Sequence, residues 1–143
     1  MKPTITLLFI FAVLSASAQK NSNAFAGFKT KLENEGFSIQ TESKFYLHQG
    51  ETKSVYFGMY PGRRYKIFFM SDDPYVNDVD VWLYDFSHNS ELLTKSTGDK
   101  AKMAVVNYSP GKETIQGLLK CKNADSNNPT KESRCYVVVA YKE

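Results

Sequence analysis

From Phe37 onward, apolar and polar residues alternate with a period of two, interrupted at short intervals by glycine, proline and clusters of Ser, Asn and Asp. In an extended chain a period of two sends successive side chains to opposite faces, so each run predicts a strand with one face toward a core. Phe45-Tyr46-Leu47 is the first run, closed by His48-Gln49-Gly50-Glu51. Val55, Phe57 and Met59 alternate with Tyr56 and Gly58 and stop at Pro61-Gly62. Tyr65, Ile67 and Phe69 alternate with Lys66, Phe68 and Met70, and Val79, Val81 and Leu83 with Asp80, Trp82 and Tyr84. Leu92-Leu93 opens a short strand before a Ser-Thr-Gly-Asp turn at 96–99, and residues 103–108 alternate again before Ser109-Pro110-Gly111. Residues 115–119 and 135–141 supply the last runs. Seven or eight short strands punctuated in this way predict an all-β fold, an antiparallel β-sandwich or barrel. Several strands are apolar on both faces, so the second face is either covered by another element or exposed for binding.

The period differs before Phe37. Asn21, Ser22 and Asn23 offer N-cap side chains, Phe25, Phe28 and Leu32 recur at helical spacing, and Gly36 stands where a C′ glycine ends a helix. The spacing predicts a short amphipathic helix within residues 21–36, centred on 23–35. Its narrow apolar stripe and mixed-sign polar face suit a helix lying on a domain better than one lying on a membrane. Further upstream, Lys2 precedes the apolar stretch Ile5–Leu14, and Ala16-Ser17-Ala18 fits the small-x-small cleavage pattern. A run of about ten apolar residues is half of what a bilayer span requires. Residues 1–18 are therefore expected to be a signal peptide, and residues 19–143 a single exported domain starting at Gln19, with strands filling 37–143.

Three segments carry a family likeness. Gly50-Glu51-Thr52-Lys53-Ser54-Val55-Tyr56-Phe57, Pro61-Gly62-Arg63-Arg64-Tyr65-Lys66-Ile67 and Asp78-Val79-Asp80-Val81-Trp82-Leu83-Tyr84-Asp85, followed by a final Cys135-Tyr136-Val137-Val138-Val139 strand, resemble the bacterial pre-peptidase C-terminal domain. The resemblance covers roughly residues 45 to 142, and the Asp-x-Asp…Leu-Tyr-Asp segment is its sharpest part. It implies a jelly-roll-like β-sandwich, of a kind usually appended to secreted enzymes and without catalysis of its own.

Export gives the two cysteines, Cys121 and Cys135, a meaning. An even pair in an oxidising compartment predicts one disulfide. The thirteen residues between them are polar and turn-rich. Closing such a loop is worth about 3 kcal/mol by chain entropy. The spacing suits neither a C-x-x-C redox motif nor a zinc site.

Two segments offer binding chemistry. Ser71-Asp72-Asp73-Pro74-Tyr75-Val76-Asn77-Asp78-Val79-Asp80 gathers four carboxylates, and Asp78 and Asp80 share a face of an extended chain. Crowded carboxylates repel, and Ca²⁺ relieves this by taking six to eight oxygen ligands. Asp72, Asp73, Asp78 and Asp80 are accordingly the candidate metal ligands, with calcium as the one candidate cofactor. The alternative is a solvated turn whose aspartates accept backbone N–H bonds, and the lack of the EF-hand order favours it. Aromatic residues Tyr46, Tyr56, Tyr60, Tyr75, Trp82 and Tyr84 make a second candidate, with Tyr75, Trp82 and Tyr84 nearest the acidic segment. Aromatic rings beside polar groups bind sugars or protein surfaces, but they are also ordinary sandwich core.

Catalytic signatures are missing. His48 and His88 are the two histidines, in no zinc-ligand spacing, and there is no Gly-x-Ser-x-Gly elbow or phosphate-binding glycine loop. A net charge of +3, from 18 basic and 15 acidic residues spread along the chain, gives no electrostatic reason for nucleic-acid binding. Arg63-Arg64 is the densest basic pair. These observations point to an exported, non-catalytic binding module acting on a protein or glycan outside the cytoplasm, secreted or periplasmic. A structural component of an envelope assembly is the alternative, and a small hydrolase with an unrecognised site a third reading.

Overall fold

The computed structural model describes residues 25–143, so the expected signal peptide and its cleavage point lie outside the described residues. The chain divides after Gly36 into two compact units. In the first, helix α1 covers residues 25–34. The apolar stripe read from the spacing is its sheltered side: Phe25 and Phe28 are half-buried and Leu32 is buried. The helix ends as predicted. Gly36 takes a φ of 89°, and its N–H donates back to the Glu33 carbonyl at 3.0 Å. A residue with a Cβ is strained in that conformation, which is why glycine stands there. Among the described residues no helix is long and apolar enough to cross a membrane.

The second unit, Phe37–Glu143, holds eight strands: β1 Ser38–Leu47, β2 Thr52–Met59, β3 Arg64–Ser71, β4 Val76–Asp85, β5 Glu91–Ser96, β6 Met103–Tyr108, β7 Ile115–Ser126 and β8 Ser133–Lys142. They form two antiparallel four-stranded sheets, sheet A in the order β1-β8-β3-β6 and sheet B in the order β2-β7-β4-β5. Only β4 and β5 are consecutive strands paired with each other, and every other connection crosses between the sheets. This is the eight-strand, double-sheet jelly-roll arrangement. The all-β sandwich expected from the alternation is therefore the observed fold.

The core lies between the inner faces. Met59, Ile67, Phe69, Val81, Leu83, Leu119, Val137 and Val139 are completely buried there. In β4 the inward set is Val79, Val81, Leu83 and Asp85, and the outward set Asp78, Asp80, Trp82 and Tyr84, as a period of two requires. The two outer faces differ. On sheet A, Phe68, Val138 and Ala140 are buried although they point away from the core. On sheet B the outward row stays open, and it forms the candidate site.

Two expectations about the C-terminal part are corrected. The polar stretch after Cys121 is not a loop as far as Ser126: β7 runs through it and pairs with β4 down to Val76, with register shifts near Asp78. Asn123 is fully buried there; its side-chain amide donates to the Leu47 carbonyl at 3.3 Å, and its backbone carbonyl accepts the Gly50 N–H at 2.7 Å. Its polar side chain signals a turn in the sequence, but hydrogen bonds to neighbouring backbone keep it in the strand. The second correction concerns the disulfide. β7 and β8 are not partners; β7 lies in sheet B between β2 and β4, and β8 in sheet A between β1 and β3. Cys121 faces Lys53 and Val81, Cys135 faces Phe45 and Ser71, and both are free thiols within the core. Burial pushes the Cys135 thiol up to about 12 and raises that of Cys121 well above its ordinary value, with Cys135 adding to the latter. Such thiols behave as small core hydrophobes rather than as nucleophiles.

Candidate functional site

The outer face of sheet B is built by strand register. Tyr56 of β2, Leu118 of β7, Tyr84 of β4 and Leu92 of β5 lie opposite one another in one row across the sheet. Ser54, Lys120, Trp82 and Lys95 form the next row, followed by Thr52, Lys122 and Asp80. Beyond the first row, Phe86 meets Tyr56 edge-on with ring centroids 5.5 Å apart. Tyr60 folds back over Gly58, where its hydroxyl would be 3.3 Å from any added Cβ. The face therefore grades along the strands from carboxylates at Asp78 and Asp80, through lysines 122, 120 and 95, to an aromatic and aliphatic end. Lys120 bridges the last two zones, its ammonium 5.3 Å from the centre of the Tyr84 ring. A cation over a ring face at that distance is attracted by the ring quadrupole.

Large apolar side chains are exposed at this end. Tyr56, Phe86, Tyr60 and Leu92 are 55%, 52%, 47% and 45% exposed, while Leu118 between Tyr56 and Tyr84 is buried. The edge strands β2 and β5, and the residues that follow β2 and β4, thus present four large apolar side chains to solvent, with a buried leucine between Tyr56 and Tyr84. Scattered exposed apolar residues are ordinary, whereas a contiguous group rimmed by polar residues marks an interaction surface.

Of the aromatic candidates, Trp82 and Tyr84 lie on this face, half-buried and two residues apart. Tyr75 does not. It precedes β4, about 20 Å along the strand from Trp82, and its ring lies under the Lys131 ammonium at 4.3 Å. Phe86, Leu92 and Leu118 belong to the surface but were not among the expected residues. Nothing in a linear sequence marks them, because only the strand order places them beside Tyr56 and Tyr84.

The acidic segment does not assemble as a metal site. Asp72 turns to β8, where Arg134 grips it with Nε at 3.1 Å and Nη2 at 2.8 Å and the Tyr136 hydroxyl donates at 3.2 Å. Asp73 accepts the Tyr75 N–H at 3.0 Å and so caps its own turn. Asp80 accepts the Gly98 N–H at 2.9 Å, and Asp78 the Ala101 N–H at 3.4 Å. The four carboxylates have separate partners, and among the described residues no three His, Cys, Asp or Glu side chains are grouped to hold a metal ion. The four carboxylates expected as calcium ligands, Asp72, Asp73, Asp78 and Asp80, are thus not gathered into one cluster. Asp73, Asp78 and Asp80 satisfy backbone N–H groups, as in the alternative reading, while Asp72 accepts from side chains and ties a loop to β8. Crowding survives at one point. Burial, then the charge of Asp80, hold the Asp78 carboxyl above its ordinary value against the hydrogen bonds from Ala101 and Lys100.

The histidines occupy turns. His88 Nδ1 lies 2.6 Å from Asp85, and the Ser87 hydroxyl donates to the same carboxylate. Burial pushes the Asp85 carboxyl up, but the hydrogen bonds from Ser87 and His88 outweigh it and hold the group below its usual range. In a nucleophilic triad the imidazole stands between the hydroxyl and the acid; here the acid stands between the other two, which closes the β4–β5 turn. His48 similarly faces Glu51 at 3.2 Å across the β1–β2 turn. Neither histidine lines the 260 Å³ cavity beside Phe37 or the 370 Å³ cavity beside Arg63.

No family model matches the chain, and no curated protein does. Among solved structures, the chain is similar to a periplasmic inhibitor of g-type lysozyme from Aeromonas hydrophila, at 9% identity over 74% of this chain and 86% of that one, with a TM-score of 0.44. A likeness this distant carries no functional argument.

Proposed function

We propose that this chain is an exported, non-catalytic binding module that docks a protein surface on the outer face of sheet B. The observation that carries the reading is the contiguous exposure of Tyr56, Tyr60, Phe86 and Leu92 around Trp82 and Tyr84 on an open sheet face. Protein interfaces concentrate aromatic anchors in a patch with a polar rim, and here Lys95, Lys120 and Lys122 supply part of that rim. Exposed aromatic side chains spread across a sheet face suit a protein partner better than a small molecule, since small ligands are held in concave sites. Export rests on the Lys2, Ile5–Leu14 and Ala16-Ser17-Ala18 pattern, and N-terminal mass measurement on exported protein should return Gln19 as the first residue.

The surface is tested by placing a photo-crosslinking amino acid at Tyr56, at Leu92 and, as a control away from the face, at Tyr46, in the protein exported by its native host. Covalent adducts to one protein are expected from positions 56 and 92 and none from 46. Adducts to carbohydrate would replace the protein partner with a glycan. No adduct, or equal yields from all three positions, would refute the assignment of this face.

A further inference from the structure

We propose that the 260 Å³ cavity at the end of sheet A is a second site, which binds a phosphate-type oxyanion. Its lining includes Phe37, Arg64, Lys66, Asn107, Ser109 and Lys142, and the remainder is tyrosine. Three of these are cations and none is an acid. Strand register brings them together: Arg64 of β3 lies directly opposite Lys142 of β8, and Lys66, two residues along on the same face, lies opposite Asn107 of β6. The ammoniums of Lys142 and Lys66 stand 4.5 Å and 5.9 Å from the centre of the Phe37 ring. Among the described residues none of the three cations is within ion-pair distance of a carboxylate.

The contrast with Arg63 sharpens the point. The adjacent arginines of the densest basic pair separate at the start of β3. Arg63 stacks on Tyr141 at 4.0 Å and pairs with Glu143 at 3.6 Å, while Arg64 goes to the cavity with no acid beside it. Like charges directly opposite each other on paired strands destabilise a sheet, so Arg64 facing Lys142 costs the fold stability unless an anion lies between them. An arginine fork with two lysine point charges matches the several oxygens of a phosphate, and the Asn107 amide and Ser109 hydroxyl at the rim can donate to the same group. The volume falls below the range that holds drug-sized ligands, so the cavity takes a charged group rather than a large molecule. That group is either free phosphate or the phosphate of an anionic lipid headgroup. The cavity belongs to the opposite sheet from the proposed docking face and does not depend on that reading.

The test uses the mature protein and three probes: inorganic phosphate by calorimetry and by ³¹P line broadening, sodium chloride at matched ionic strength, and sedimentation with phosphatidylcholine vesicles with or without phosphatidic acid. Wild type should bind phosphate, or the phosphatidic acid vesicles, saturably and above the chloride control. The double variant Arg64→Gln/Lys142→Gln should lose at least tenfold in affinity, and without phosphate it should melt no lower than wild type because the facing charges are gone. Lys66→Gln should weaken binding as a single change and serves if the double variant folds poorly. Binding to vesicles alone, lost in the variants, assigns the lipid source; binding to free phosphate assigns the other. Absence of saturable binding to either probe, or binding that both variants retain, overturns the proposal.

Discussion

Replacing Asp78 by Asn should stabilise the protein at neutral pH. Asp78 and Asp80 stand two residues apart on one face of β4, about 7 Å at strand rise, and Asp78 is held above its ordinary pKa first by burial and then by Asp80. Two unit charges at that distance repel by about 0.6 kcal/mol in water and about 2.4 kcal/mol at an effective dielectric of 20. Both side chains are partly solvated and salt screens over about 8 Å, so about 0.5–1 kcal/mol is the appropriate range. Asparagine keeps the oxygen that accepts the Ala101 N–H and removes the charge. The sign follows from linkage. A carboxyl whose folded pKa is raised holds its proton more tightly in the folded state, so its ionisation penalises the fold at every pH above the folded value. The penalty fades as pH falls and is gone below the unfolded value of about 3.9. Thermal melts of both proteins from pH 7 to pH 3 should show Asp78→Asn higher by about 2–4 °C at pH 7, taking about 4 °C per kcal/mol for a domain of this size, and equal to wild type at pH 3. The other titrating groups are common to both proteins and cancel in the difference. A variant less stable at pH 7, or a gain that persists unchanged to pH 3, would refute the repulsion argument. Millimolar calcium tests the metal-ligand expectation in the same experiment: a wild-type melting temperature that rises with calcium and a variant that does not respond would give Asp78 a metal role.

Two further outcomes are expected. Gly117→Ala in β7 would place a Cβ 3.2 Å from the Phe57 carbonyl oxygen and 3.1–3.2 Å from the ends of the Phe57 and Met59 side chains; since the backbone oxygen cannot swing away, the change should cost about 1–3 kcal/mol and lower the urea midpoint by about 0.7–2 M at an m-value of about 1.5 kcal/mol/M, and an unchanged midpoint would mean that the two strands separate at little cost. Cys121 and Cys135 should resist alkylation in the folded protein, because at pH 8 a thiol of pKa about 12 is ionised in on the order of one molecule in ten thousand; non-reducing mass analysis after denaturation in alkylating agent should then add two labels, and a mass showing a bonded pair would contradict the observed free thiols.

The local alternation of apolar and polar residues carried most of the architecture. Every run with a period of two became a strand, and the inward and outward sets of β3 and β4 follow directly from it. Strand ends were less legible where polar residues hold a strand by side-chain bonds, as Asn123 does. Apart from the β4–β5 pair, pairing was not legible from sequence proximity. Cys121 and Cys135 are close in the chain, yet their strands belong to opposite sheets, as most consecutive strands of a jelly roll do. The same proximity reasoning grouped four aspartates that share a ten-residue stretch, although the turn at Asp73 and the start of β4 direct Asp72 toward β8 and Asp78 toward the outer face of sheet B.

Both sites follow from this topology in a way that bears on how they could be altered. Tyr56, Leu118, Tyr84 and Leu92 come from four strands, with β2 joined to β4 and β5 to β7 only through strands of the other sheet, and are brought into one row by pairing. The cavity cations come from β3 and β8, at nearly opposite ends of the sandwich segment of the sequence. Because side chains alternate along a strand, a one-residue slip would turn an outward row into the core. The buried inward partners, Leu83 and Leu119 in sheet B and Ile67 and Val139 in sheet A, resist that slip, and in doing so they position both surfaces. Core substitutions in β7 or β8 that leave the protein folded but loosen its register should therefore weaken binding at the corresponding face without touching any residue exposed on it.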